Sequence, residues 1–270
     1  MSGGRDTSAS APAGAAHLAS RYGALASVLA AATAVCLVLA YHRGGVWHPA
    51  TLLGLWFTAC AALVAHAYAE NDPDAFGKGA DGRMPPLFTL GCLPYAMPLW
   101  LRQFALVRFS REPRWNRLAD DIWIGRRPER PNDLPDGATV CVDLAAELSA
   151  ARFLRSWSGR YVSFPILEAS VRTADDLNAC IDALPETGVY IHCAQGHGRT
   201  GFFACALLLR RGLAATAAEA EARVVAARPG VKLRQAQRAF LMSLAPETAI
   251  PPASSQRNAL ATGWRGGAKP

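Results

Sequence analysis

The chain has 270 residues, 51% of them apolar, and a formal net charge of +7. That length allows one or two domains, and the basic excess favours anionic partners. No recognition helix, zinc-finger spacing or basic-aromatic stripe accompanies the charge, which excludes nucleic acid as a partner. Seven cysteines without a Cys-x-x-Cys pair exclude a disulfide framework and a zinc site, and fit a reducing compartment.

Residues 1–20 are rich in Ala, Ser and Gly and are expected to be disordered. From Tyr22 to Tyr41 there is no charge and no proline, a run long enough to cross a hydrocarbon core. A second uncharged run, Ala50 to Tyr68, ends before Glu70. Residues 21–70 therefore read as a transmembrane helical hairpin. A cleaved signal peptide fits less well, because its apolar core would be shorter and no second span would follow at once.

The next apolar stretch, 84–112, holds Pro85, Pro86, Pro94 and Pro98. Proline removes helix hydrogen bonds that a bilayer cannot replace. Trp100, Arg102 and Arg108 add interfacial character. The stretch is expected to lie on the membrane or re-enter it; a third span is the weaker alternative. Five arginines and one glutamate fall between Leu101 and Arg117, and Arg5 and Arg21 precede the hairpin. The positive-inside rule then puts both ends in the cytoplasm, in a multi-pass protein of the inner or plasma membrane.

Residues 114–247 read as an α/β domain. Short β-branched runs at 139–144, 161–166 and 188–192 predict strands. Stretches 145–156, 173–184, 200–211, 214–227 and 234–244 predict helices, with Thr173 as an N-cap. Such alternation implies a mostly parallel sheet flanked by helices. The tail, 251–270, is expected to be disordered.

One segment carries chemistry: Cys193-Ala194-Gln195-Gly196-His197-Gly198-Arg199, between a predicted strand and a predicted helix. Gly196 and Gly198 let the backbone turn its N–H groups toward one point. The helix adds its positive end, and Arg199 can hold two oxygens of a phosphate at once. The same field favours a thiolate at Cys193, aimed at phosphorus.

With His192 before it and Thr200-Gly201 after it, this string resembles the protein tyrosine phosphatase superfamily, in its dual-specificity branch. The resemblance covers roughly 121–245. Ile122-Trp-Ile-Gly125 and Arg228-Pro-Gly-Val-Lys-Leu233 add to it; the membrane half lies outside it. It implies a phosphomonoesterase that works without metal or cofactor through a cysteinyl-phosphate, on phosphoprotein or lipid-phosphate substrates. It also implies roles: Thr200 bonds the cysteine sulfur, His192 supports the loop from behind, and Gln237 positions water, with Gln235 close by. His197 is left open between substrate contact and solvation. The family's general acid is an aspartate on an upstream loop. Here Glu168 stands at the best-placed position, a departure from the pattern; Asp175 and Asp176 are rivals, and capping is their simpler use. That departure keeps open a second reading, a pseudophosphatase serving as a membrane-bound phosphate-binding module.

Overall fold

The computed structural model describes residues 13–42 and 49–244; the disorder expected of 1–12 and 251–270 lies outside the described residues. Two long apolar helices come first, α1 (Ala13–His42) and α2 (Pro49–Ala69). At about 1.5 Å per residue each is long enough to cross a bilayer, and both are candidate spans. They run antiparallel: Tyr22 stacks on Tyr68 with ring centroids 5.6 Å apart, and a Cβ on Gly54 would meet Thr33 Oγ1 at 2.5 Å. Ser27, Thr33 and Thr58 each donate to a carbonyl one turn back, which satisfies their hydroxyls without water. Leu25, Val28, Val35, Leu52, Leu55 and Phe57 are exposed on the outer faces.

α1 starts earlier than the sequence predicts. Residues 13–20 are helical instead of disordered, because Ala15, Leu18 and Ala19 pack into a cluster with Ala67, Tyr68 and Phe76.

The proline-rich stretch forms two helices, α3 (Pro86–Gly91) and α4 (Leu93–Phe109), broken at Cys92. The Gly91 carbonyl, left open by that break, accepts from Trp56 Nε1 at 2.8 Å. Trp56 precedes the end of α2 by 13 residues, so the α3–α4 turn lies about 20 Å along α2 from the helix's C-terminal end. α3 has no buried residue, and Leu87, Leu90, Leu101 and Phe104 are exposed.

The second half is a five-stranded sheet in the order β1-β2-β5-β3-β4: β1 (Trp115–Ala119), β2 (Ile122–Arg126), β3 (Val140–Ala145), β4 (Arg160–Ile166) and β5 (Val189–Cys193). Only β1 and β2 pair antiparallel; the other pairs are parallel. β5 is buried throughout, as a central parallel strand must be. Pro165 is tolerated because β4 is an edge. One face is covered by α5 (Ala174–Asp182), α6 (Gly198–Arg210), α7 (Ala217–Ala227) and α8 (Gln235–Leu244). Thr173 Oγ1 accepts from Asp176 N, so the predicted N-cap is formed.

The other face carries no α-helix among the described residues. The helix predicted over 145–156 is absent, and bends with a single 3-10 turn, Arg152–Arg155, take its place. Specific bonds, one local and two long-range, win over propensity there. Asp143 Oδ1 takes the Ala145 N–H, Ala150 N donates to the Gly82 carbonyl, and the Glu147 side chain is drawn inward. Trp123, Cys141, Leu154 and Tyr190 form the core on this side.

Candidate active site

β5 ends at Cys193 and α6 begins at Gly198, so the loop between them opens at the carboxyl end of the central strand. In α/β sheets that is where ligands bind. The parallel register sets Arg126 beside Cys193, and both Gly125 and Asp143 beside His192. Gly196 has φ +77°, and a Cβ there would lie 2.3 Å from the Gly125 carbonyl; only glycine fits. The Gly196 N–H points to Cys193 Sγ at 3.3 Å.

Arg228 holds the loop from outside. Its buried guanidinium donates to the carbonyls of Gly196 (2.9 Å), Gln195 (3.2 Å) and Pro113 (3.0 Å), and to Asn116 Oδ1 (2.7 Å). Glu112 Oε2 joins Arg228 Nη2 at 3.3 Å and His197 Nε2 at 2.8 Å. His197 is therefore turned to Glu112, although it still lines the cleft.

Arg199 is set by Glu147, which no sequence motif marks. Glu147 grips its end-on edge, with Oε2 to Nη1 and Oε1 to Nη2 both at 2.6 Å, and the Ile166 carbonyl takes the other Nη1 hydrogen at 3.0 Å. Five N–H donors minus these three leave the Nε and Nη2 pair of the side-on edge uncommitted among the described residues. That edge suits two phosphate oxygens. Burial opposes the Glu147 charge, but the Arg199 guanidinium holds the carboxyl below its usual range.

Behind the loop lies a second buried network. Asp143 accepts from Lys78 Nζ and from Tyr161 Oη, both at 2.7 Å, and Lys78 also reaches the Ala145 carbonyl. Burial would raise the Asp143 pKa; the adjacent Lys78 ammonium overrides it and holds the carboxyl well below its ordinary value. His192 is fully buried, with Nδ1 3.2 Å from the Cys193 carbonyl. Burial lowers its pKa to about 4 against the partial opposition of Asp143, so the ring is neutral at pH 7.

A cleft of about 530 Å³ covers the loop and collects most of the predicted residues: Cys193, Ala194, Gln195, His197, Gly198, Arg199, Glu168 and Gln237. Glu168 is exposed on the turn after β4, where Ala169 takes φ +61°. That turn is tied on both flanks. Ser170 Oγ donates to Asn71 Oδ1, Asn71 Nδ2 donates to the Val171 carbonyl at 3.1 Å, and Gln237 Nε2 donates to the Ser170 carbonyl at 3.2 Å. Gln237 also takes the Arg234 N–H, while Gln235 is exposed and outside the cleft. Asp175 and Asp176 do not line the cleft; they sit in the first turn of α5, where Asp176 pairs with Arg172 at 3.5 Å. Thr200 Oγ1 is buried and makes no bond to the Cys193 sulfur in this structure.

No sequence motif marked the apolar first half as part of the site. Leu99, Arg102 and Gln103 of α4 form one wall of the cleft. With its amide oxygen turned to α4, Gln195 accepts from Arg102 Nη2 at 2.7 Å. The arginine cluster noted in the sequence pointed to this segment, but only as a membrane-facing one. For Glu147, the available signal was a carboxylate just past a strand end beside Cys193.

Residues 136–249 match the family model described as Swiss Army Knife protein, DSP-PTPase phosphatase domain. No curated protein matches the chain. Among solved structures, the chain is similar to a mouse dual specificity phosphatase complexed with zinc tungstate, at 18% identity and TM-score 0.44 over 56% of this chain and 94% of that one. It is similar to Tk-PTP in the active form at 23% identity and TM-score 0.40, over 49% of this chain and 96% of that one. It is also similar to PTPMT1 in complex with PI(5)P at 14% identity and TM-score 0.42, over 48% and 94% of the two chains. The family match over residues 136–249 bears out the resemblance of the sheet-bearing half to the dual-specificity branch of the protein tyrosine phosphatase superfamily.

Proposed function

We propose that the chain is a membrane-anchored phosphomonoesterase that works through a cysteinyl-phosphate. The observation that carries this reading is the arrangement at the loop: Cys193 Sγ under the Gly196 N–H, with the side-on edge of Arg199 uncommitted. A phosphate placed there meets the Arg199 edge, the loop amides and the N-terminal end of α6. Cys193 attacks phosphorus, an S–P bond forms and the P–O bond to the leaving group breaks. Glu168 gives its proton to the departing oxygen. Water, placed by Gln237 and deprotonated by Glu168, then cleaves the S–P bond and releases phosphate. Thr200 is the donor assigned to the departing sulfur, a bond that a rotation about its χ1 would have to make. The two-step scheme consumes one water and leaves the enzyme unchanged.

In the same reading α1 and α2 span the bilayer and the α3–α4 pair re-enters it beside α2. The catalytic domain, 114–247, lies on the cytoplasmic side with the arginine cluster. Support comes from the exposed apolar side chains of α1–α4 and from the Trp56–Gly91 bond. Tyr22, Tyr68 and Tyr95 gather where the hairpin meets the domain, at the level aromatic belts occupy. The test is hydrolysis of a small aryl phosphate by the full chain in detergent or nanodiscs. Wild type turns it over, and Cys193→Ser does not while still binding phosphate. Turnover by Cys193→Ser above a tenth of wild type contradicts the covalent route.

A further inference from the structure

The cleft has two unlike walls. On one side α4 contributes Leu99, Arg102 and Gln103, one helical face. The same helix turns Leu101 and Phe104 outward at 62% and 69% exposure, too much apolar surface for a water-facing helix of this length. On the other side, the segment before α8 brings Lys232 and Arg234 to the rim. Neither they nor Arg102 forms an ion pair among the described residues, whereas Arg238 is committed to Glu221 at 2.7 Å. Glu147 is spent on Arg199, so Glu168 is the one lining carboxylate without an ion pair among the described residues. Three cations therefore surround a phosphate cradle whose wall continues into apolar helix.

Resting on the phosphatase reading above, we propose that the substrate is a membrane glycerophospholipid whose headgroup ends in a phosphomonoester, entering along α4. The terminal phosphate reaches Arg199. Arg102, Lys232 and Arg234 meet the second anionic group, the phosphodiester that links an alcohol headgroup to the glycerol; phosphatidic acid, whose one phosphate is the monoester, falls outside the assignment. The acyl chains stay beside Leu101 and Phe104. A lipid needs to move only laterally to reach this cleft, while a phosphopeptide must pass between α4 and the bilayer surface. Surface cations near anionic lipid contribute roughly fivefold each in affinity.

The test uses the full chain in nanodiscs or mixed micelles and measures phosphate release from four substrates. They are phosphatidylinositol monophosphate in phosphatidylcholine vesicles, the matching inositol phosphate without acyl chains, a phosphotyrosine peptide and an aryl phosphate. The expected result is aryl phosphate hydrolysis together with a kcat/KM for the lipid roughly 100-fold above headgroup and peptide. Aryl phosphate hydrolysis with the peptide or free headgroup equal to the lipid overturns the lipid assignment and leaves the phosphatase reading standing. No aryl phosphate hydrolysis overturns both. In the Lys232→Glu/Arg234→Glu double variant, lipid turnover should fall at least about tenfold more than aryl phosphate turnover; an equal fall shows that the rim does not read the headgroup and overturns its role.

Discussion

The two sides of the cleft are built on different principles. The phosphate side is made from the sheet: β5 delivers Cys193, Gly196 packs on Gly125, and Arg228 and Glu147 fix the loop and Arg199 from within the domain. The acid side is borrowed. The Glu168 turn is held by Asn71, two residues past the end of α2, and its Leu167 joins a cluster made mostly from the anchor helices. In the proposed reading, nucleophile and phosphate grip belong to the fold, whereas protonation of the leaving group depends on where α1 and α2 sit. The resemblance put the acid on an upstream loop without any tie to α2; here Asn71 ties that turn.

Breaking the acid side gives the largest effect short of removing the nucleophile. Glu168→Gln should lower kcat by roughly 10²- to 10⁴-fold on substrates with poor leaving groups and far less on an activated aryl phosphate. Asp175→Asn and Asp176→Asn should leave both rates near wild type. A leaving-group-dependent loss in either of those variants would move the acid to the start of α5.

Breaking the phosphate side should harm stability as well as binding. Glu147→Gln leaves the buried Arg199 cation without its counter-charge, and arginine cannot shed its proton. A loss of roughly 3 kcal/mol in unfolding free energy is expected, with a higher KM for every substrate alike. Unchanged stability would show that the pair is not a structural clamp.

Asn71→Ala tests the borrowing itself. It removes the two side-chain contacts to the acid turn without touching Cys193 or Arg199. Turnover of a poor leaving group should fall about tenfold, as expected for partial misplacement of a general acid, while aryl phosphate turnover changes little. Equal losses on both substrates would mean that Asn71 supports the fold and not the acid.

The last expected effect is on pH, and it bears on stability alone. His192 has its folded pKa depressed to about 4, against about 6.5 when unfolded. Between those values the unfolded chain binds a proton that the native one refuses, so stability is full above pH 6.5 and falls as pH drops toward 4. The loss is on the order of 3 kcal/mol, read as a falling thermal midpoint across that window. The Asp143 and Glu147 contributions, with folded pKa values depressed, fade only below the ordinary carboxylate range. His192→Asn should flatten the upper window alone.

Much of this was legible in the sequence. The Cys193–Arg199 spacing, the buried run of β5, the Thr173 cap and the two apolar helices all follow from local pattern, and all appear. Residues 145–156 misled because their Ala, Leu, Glu and Arg content favours a helix, while one local bond to Asp143 and two long-range ones, to Gly82 and Arg199, pull the backbone another way. That error hid Glu147. β1 was not predicted, since Trp115–Ala119 is short and mixed in polarity, and its pairing with β2 supplies what its sequence does not. Lys78 and Asn71 were invisible for a different reason: their partners, Asp143, Ser170 and Val171, lie far along the chain.

The most direct test of the central claim is to trap the intermediate. Full-length protein is mixed with a labelled aryl phosphate, quenched in acid within the first turnovers, digested and mapped by mass spectrometry. The account predicts phosphate on Cys193, at a level approaching one per chain when Gln237→Ala slows its hydrolysis, and none in Cys193→Ser. Phosphate on any other residue, or steady turnover with no labelled Cys193 at any quench time, would contradict it.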